Sequence, residues 1–515
     1  METFSAGRRI TLSSMIQQLS ITRMAFIAAA LFGGTIFWLA NRPPMADLPQ
    51  HAGQIAAFHD LLVGDSPWKA ILKINLFTPY LIGYASATAL SFFMPIVDAM
   101  KLLLTLSYYA FVLMCVLLRK RLGGDERLDW LFLPSYFGFS YEWGFFTFLM
   151  AAPVSLLYLL QSLKYSERPG FTAGVRLVAY GVVLFFSHGL MFIFSNIAGG
   201  LFLVIRRRPL AIFLRALIPY VSLGALCVLY VVVNPHANSV VSVTNFTVPG
   251  ATYIGRLWNL LSYTWGDTLN YRRVLTLAVL AMTPLLGLRF NRARPAAFMP
   301  MLALLLYWFA SPERAMNTDF IYQRFAIFLL PFFALLFAQG SAHTAPRWVT
   351  HFQAVAIQMV LAFVCVGFLA VQARRAMEFS VESEEFEQVL SAAQPAQKAL
   401  MLVFDTSSSA SGYVRPYMHY AAWYQAERQG LIDPNFAWFL PQIVRFQPGS
   451  MPKLRMEVGA EPLKFDWKQD HADQYRYFFV RNTAPLPAGL FNEARCPVRL
   501  VKSAGAWSLF ENSCR

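Results

Sequence analysis

Of the 515 residues, 57% are hydrophobic and 14% charged, where an ordinary globular chain has about a quarter charged. Several apolar runs reach the roughly 18–20 residues that cross a bilayer, so the chain reads as a polytopic α-helical membrane protein. The net charge of +15 comes from Lys and Arg gathered between those runs, as in cytoplasmic loops, which argues against a nucleic-acid partner.

In chain order, the first apolar run is "MAFIAAALFGGTIFWLA" (24–40). No cleavage signal follows it, so it is expected to be a retained helix, and Arg8, Arg9 and Arg23 ahead of it place the N-terminus in the cytoplasm. "ADLPQHAGQIAAFHD" (46–60) then opens a first extracytoplasmic loop, 41–97. Pro49 suits the first turn of a helix, with Asp47 at its positive end and His51 one turn further on. The continuation is amphipathic and is expected to rest on the membrane surface. Residues 74–97 carry Pro79 and Gly83 and are expected to lie along that outer surface, with a second span over 98–118.

Five basic stretches, at 119–129, 164–176, 206–209, 289–295 and 341–347, mark cytoplasmic loops. If all lie on one side, 130–163 and 177–205 must each form a hairpin. Their arms of about 14–17 residues would measure roughly 21–25 Å, short of the ~30 Å hydrocarbon core. Such short arms leave a cavity open to the outer side. Glu142 and His188 fall at the two apices, where an ionisable residue is costly unless it faces a cavity or a partner; a locally bonded helix end is the alternative for each. Further spans near 210–233, 274–288, 296–310, 325–340 and 352–373 bring the total to about eleven. Between them, "SPERAMNTDFIYQRF" sets Arg314, Asp319 and Arg324 in an outer loop, 311–324. Arg324 opens a helix where a lipid phosphate would lie, or it snorkels to headgroups. Trp258, Tyr263 and Trp265 in the other outer loop, 234–273, would stack on sugar faces or form an interfacial belt.

From residue 374 to 515 the chain changes character: charge runs alternate with strand-like stretches such as "ALMLVF" and "YRYFFV". This reads as a C-terminal extracytoplasmic α/β domain behind a transmembrane domain of 1–373. Its two cysteines, Cys496 and Cys514, are expected to pair in an oxidising compartment. "SGYVRPYMHYAAWYQAERQG" (411–430) carries Arg415 and His419, facing the cavity or packed in the domain core. No phosphate-binding glycine loop, zinc-spaced Cys/His set or Ser–His–Asp signature is visible.

An acidic residue in the first outer loop, directly after the first helix, resembles the GT-C superfamily of integral-membrane glycosyltransferases, among them the protein O-mannosyltransferases and aminoarabinose transferases. The stretch "DLPQHAGQI" is similar to the D-x-P-x-H of some bacterial relatives, and the short hairpins and terminal outer domain extend the likeness over nearly the whole chain. The resemblance implies transfer of a sugar from a polyprenyl-phosphate donor to an acceptor hydroxyl, on the periplasmic side of the cell inner membrane. It makes Asp47 the catalytic base or the ligand of a divalent cation. The substrate-binding candidates around it are His51, Glu142, His188, Arg314, Asp319, Arg324 and His419. Leu48 stands where many members have a second acid, which departs from a paired-acid or dimetal arrangement. Two other readings are open: a transporter or flippase of lipid-linked saccharide, which would more often show two repeated halves with broken helices, and a non-catalytic subunit of an envelope polysaccharide assembly system.

Overall fold

A computed structural model describes residues 21–234, 253–267, 270–315, 318–338, 351–411, 415–455 and 457–514. Arg8 and Arg9, the basic marker at 341–347 and the centre of the 234–273 loop lie outside the described residues. Among those described, five helices are long and apolar enough to cross a membrane: Ile21–Trp38, Ile96–Leu122, Phe146–Glu167, Leu210–Val233 and Gln353–Ala392. Leu81–Ser91, Phe171–Ser187, Gly189–Val204, Pro295–Ala310 and Gln323–Leu335 are apolar but only 10–17 residues long. A helical membrane protein is therefore shown, with five full-length spans where the sequence reading expects about eleven.

The long helices carry their own end signals. Ile96–Leu122 has Asp98 in its first turn and Arg119, Lys120 and Arg121 in its last, matching the helix dipole. It ends on Gly123 at φ 71°, a left-handed cap that glycine adopts without strain. The hairpin expected over 177–205 is present as Phe171–Ser187 and Gly189–Val204, joined through His188 in extended backbone. With 17 and 16 residues, its arms span about 24–26 Å.

The hairpin expected over 130–163 takes a different form. Its first arm is broken into Glu126–Leu131, Phe132–Ser135 and Phe139–Glu142, and only the second, Phe146–Glu167, is a full helix. Pro134, Gly138 and Gly144 interrupt the first arm. At Gly138 the backbone closes so tightly that a Cβ would sit 2.6 Å from the Thr264 carbonyl oxygen.

Nine strands occur in chain order among the described residues: β1 Leu72–Ile74, β2 Arg289–Phe290, β3 Phe337–Ala338, β4 Lys398–Val403, β5 Leu431–Asp433, β6 Val444–Phe446, β7 Tyr477–Arg481, β8 Val498–Ala504 and β9 Trp507–Asn512. The C-terminal sheet runs β5-β4-β7-β9-β8, parallel across β5, β4 and β7 and antiparallel beyond. Central β4 is buried from Ala399 to Val403, as a parallel strand covered on both faces should be. Edge strand β8 exposes Arg499 and Lys502, charges that discourage edge-to-edge pairing. Cys496 and Cys514 are joined, tying the start of β8 to the end of β9.

Two features revise the sequence reading of the domains. The helix His351–Glu382 runs unbroken past residue 374, so the chain turns into the C-terminal domain only at Ser383. The first loop is not a surface appendage. Its helix Leu48–Val63 is buried at every residue from Leu48 to Phe58 and packs along Trp423–Arg428 of the C-terminal domain. The amphipathic pattern reflects burial between two bodies rather than a resting place on lipid. Pairing of β1 with β6, with Leu72 opposite Phe446 and Ile74 opposite Val444, stitches the same loop to that domain.

Candidate active site

Asp47 immediately precedes the helix Leu48–Val63, with Pro49 in the first turn. Its position is set from behind by the turn "YEWG". Ala46 N–H donates to the Glu142 carbonyl at 3.2 Å, and Asp47 N–H to the Trp143 carbonyl at 3.0 Å. Gly144 makes the approach feasible: it sits at φ 74°, and a Cβ there would lie 2.9 Å from the backbone nitrogens of both Asp47 and Leu48. An aspartate at this place would ordinarily cap the helix, but the Asp47 side chain makes no cap hydrogen bond. Its carboxylate instead faces His419 of the C-terminal domain, Oδ1 to Nε2 at 3.4 Å.

Between them opens a cavity of about 410 Å³. The membrane body contributes Tyr80, Trp143, Phe145 and Arg324 to its walls, and the C-terminal domain contributes Arg415, His419 and the stretch from Pro434 to Phe436. The two halves are clasped by glutamines on one face of the first-loop helix. Gln50 donates to the Pro434 carbonyl at 2.8 Å and accepts from Phe436 N–H at 3.0 Å, and Gln54 accepts from Val444 N–H at 3.0 Å.

Enclosure sets the ionisation of the site. Burial pushes the Asp47 carboxyl up to about 7, against the opposing pull of the Arg324 charge. Burial likewise pushes His51 down to about 3 and His419 down to about 4. Both imidazoles are therefore neutral at neutral pH, and the contact between His419 and Asp47 is a close polar approach rather than a salt bridge. His51 is fixed by its Nδ1 against the Tyr84 hydroxyl at 2.7 Å, and that hydroxyl donates to Gln442 at 2.5 Å.

Arg324 lines the cavity and is 9% exposed. Its Nε and Nη2 donate to the carbonyls of Phe320 and Asp319 at 3.2 and 2.9 Å, and its guanidinium lies 3.7 Å from the Phe145 ring centroid. No carboxylate comes within ion-pair distance of it among the described residues, so its charge is held in place but not neutralised. Asp319 also lines the cavity. Arg314 does not: it pairs with the Asp319 carboxylate while half exposed to solvent.

Two other candidates sit behind the walls. Glu142 is 3% exposed and grips Arg272 through both carboxylate oxygens, at 2.8 and 3.0 Å, while accepting from Asp267 N–H at 2.6 Å. It braces the turn that holds Asp47 and does not face the cavity. His188 is 1% exposed, accepts Leu190 N–H at 3.2 Å and caps its helix. Its ring lies 4.9 Å from that of Tyr80, which stands between it and the cavity. Trp265 is fully buried and donates to Thr276 at 2.7 Å, and Tyr263 packs on Phe139 at 4.4 Å, so neither offers a face to a sugar.

The sequence reading does not reach Gln50, Tyr80, Trp143, Phe145, Asn435 or Phe436. Of these only Gln50 carries a signal: with Gln54 it forms an i, i+4 polar pair close to Asp47 on the first-loop helix. Among the described residues no group of three or more His, Cys, Asp or Glu side chains converges. His51 Nδ1 is already committed to Tyr84, and the charge across from Asp47 is the cation Arg324. No family model, curated protein or solved structure matches this chain.

Proposed function

We propose that the chain is a glycosyltransferase that moves a sugar from a polyprenyl-phosphate donor to an acceptor hydroxyl, at the periplasmic face of the cell inner membrane. The observation that carries this reading is the pairing, in one cavity, of a desolvated carboxylate and an unneutralised guanidinium. These are the two groups such a transfer needs.

Asp47 takes the proton of the acceptor hydroxyl as its oxygen attacks the anomeric carbon. The new C–O bond forms as the bond from that carbon to the phosphate oxygen breaks, and the electron pair leaves with the polyprenyl phosphate. Arg324 stabilises the charge that develops there. Asp47 then returns its proton to solvent. A general base works best with a pKa near the operating pH, and burial brings Asp47 to about 7. His419 Nε2 orients the carboxylate, and the aromatic walls at Tyr80, Trp143 and Phe436 suit sugar faces.

The orientation is supported by the basic stretches, four of which meet at one end of the bundle. Arg121 pairs with Glu167, which also meets Arg206 at 3.4 Å. Arg294 donates to the Arg121 carbonyl at 2.7 Å, and Arg208 to the Ser166 and Glu167 carbonyls at 2.5 and 3.0 Å. With that end cytoplasmic, Asp47 and the C-terminal domain lie on the periplasmic side.

The test is sugar transfer by the purified protein from a panel of labelled polyprenyl-phosphate sugars. Arg324→Ala removes a charge-assisted contact to phosphate, worth about 1.5–3 kcal/mol. It should weaken donor binding roughly 10- to 100-fold with the fold intact. Unchanged donor affinity in the alanine variant would contradict the role given to Arg324.

A further inference from the structure

Arg445 lies at the centre of β6, and its register partner in β1 is Lys73. Residues directly opposite in an antiparallel pair project from the same face, so this short ribbon carries two cations side by side. Their strand neighbours Leu72, Val444 and Phe446 are buried. Like charges placed opposite one another destabilise a strand pair, and an arginine buried this deeply is normally paired. Arg445 is 5% exposed. Yet neither it nor Lys73 makes an ion pair or donates a side-chain hydrogen bond among the described residues.

Arg445 interacts electrostatically with Tyr230, near the end of Leu210–Val233, and the Tyr230 hydroxyl is buried without a hydrogen-bond partner. Beside it, Phe77 packs against Phe185, Phe186 and Tyr230 at centroid distances of 6.3, 6.0 and 5.9 Å. An ammonium, a guanidinium and a phenol hydroxyl, none with a hydrogen-bond acceptor from the protein among the described residues, thus stand at the edge of an apolar wall made by the ends of two apolar helices. None of the three lines the Asp47 cavity.

We propose that Lys73, Arg445 and Tyr230 form a second anion site, which takes a phosphate group. A phosphate offers several acceptor oxygens to the three donors and neutralises the two facing charges. It comes either from the headgroup of a lipid whose chains lie along the aromatic wall or from free phosphate in solution. The inference does not depend on the transferase reading.

The test uses the full chain, delipidated in a neutral detergent. Binding of radiolabelled orthophosphate is measured directly, and native mass spectrometry compares retention of phosphatidic acid with that of phosphatidylcholine. Retention of phosphatidic acid without orthophosphate binding identifies the lipid source, and orthophosphate binding identifies the soluble one; either supports the site. Arg445→Gln and Lys73→Gln should each weaken the binding about tenfold or more, while Arg499→Gln, on the exposed edge strand β8, leaves it in place. Removing an unpaired buried charge should also leave Arg445→Gln at least as resistant to unfolding as the phosphate-free parent. If Arg445→Gln does not fold, Lys73→Gln carries the test alone. Failure of the parent protein to bind either probe, or undiminished binding in Lys73→Gln protein, would overturn the proposal.

Discussion

Asp47 is the residue on which the account turns, and its environment makes a pH signature. A carboxyl raised to about 7 is protonated, and useless as a base, over most of the acid range. kcat/KM should therefore rise with pH through an inflection near 7 and level off above it. The limb should be missing from the residual activity of Asp47→Asn protein; an inflection near the ordinary carboxylate value of about 4 would show that the enclosure does not act as described. The stability consequence has the opposite sign. The folded state favours the protonated acid, so stability falls as pH rises from the ordinary carboxylate value of about 4 to about 7 and levels off above that. Asparagine removes that loss, and the variant should fold at least as well as the parent. At this scale the sequence is only partly informative. Pro49 and the preceding apolar run mark Asp47 as the head of a helix. Nothing local indicates that its carboxylate declines the cap and turns to His419, because that choice depends on a domain far along the chain. Glu142 shows the reverse problem: an acid at a hairpin apex looks like a cavity residue until Arg272 is seen to grip it.

Among the elements, the turn from Tyr141 to Gly144 does most to hold the site. Gly144 combines a left-handed backbone with a close approach to Asp47, and alanine there would be strained and would press on the Asp47 backbone. Gly144→Ala should reduce turnover about 100-fold, the order expected when a reacting group is displaced by about 1 Å, and should lower the unfolding midpoint. A variant with normal turnover would mean that the turn does not position Asp47. Helix periodicity and basic loops make the long spans and the Phe171–Val204 hairpin legible in the sequence. They do not anticipate the broken first arm, where Pro134, Gly138 and Gly144 override an apolar pattern that would otherwise be helical. The amphipathic first-loop helix is ambiguous for a physical reason: a face buried against protein and one buried in lipid carry the same residues.

Taken whole, the molecule is a helical body and a sheet domain interlocked through the first loop, with the cavity at their junction. The β1–β6 pair and the Gln50 and Gln54 clasps bind the domain to the loop that bears Asp47. The placement of Asp47 and the docking of the domain are thereby one arrangement. Membrane-impermeant thiol reagents applied from outside should label single cysteines introduced at Lys69 or Lys502 but not at Arg207 or Arg292. Labelling at Arg207 from outside would separate the basic end from the cytoplasm and remove the support for a periplasmic site.

The most direct measurement is transfer from a polyprenyl-phosphate sugar by Asp47→Asn protein, beside the parent and after both are shown to be folded and to bind donor equally. Asparagine keeps the size and hydrogen-bonding capacity of the side chain but cannot accept the acceptor's proton. Turnover should fall by about 10²–10⁴-fold, the usual contribution of a positioned general base. Full transfer activity in a well-folded Asp47→Asn protein would contradict the assignment of Asp47 as the base.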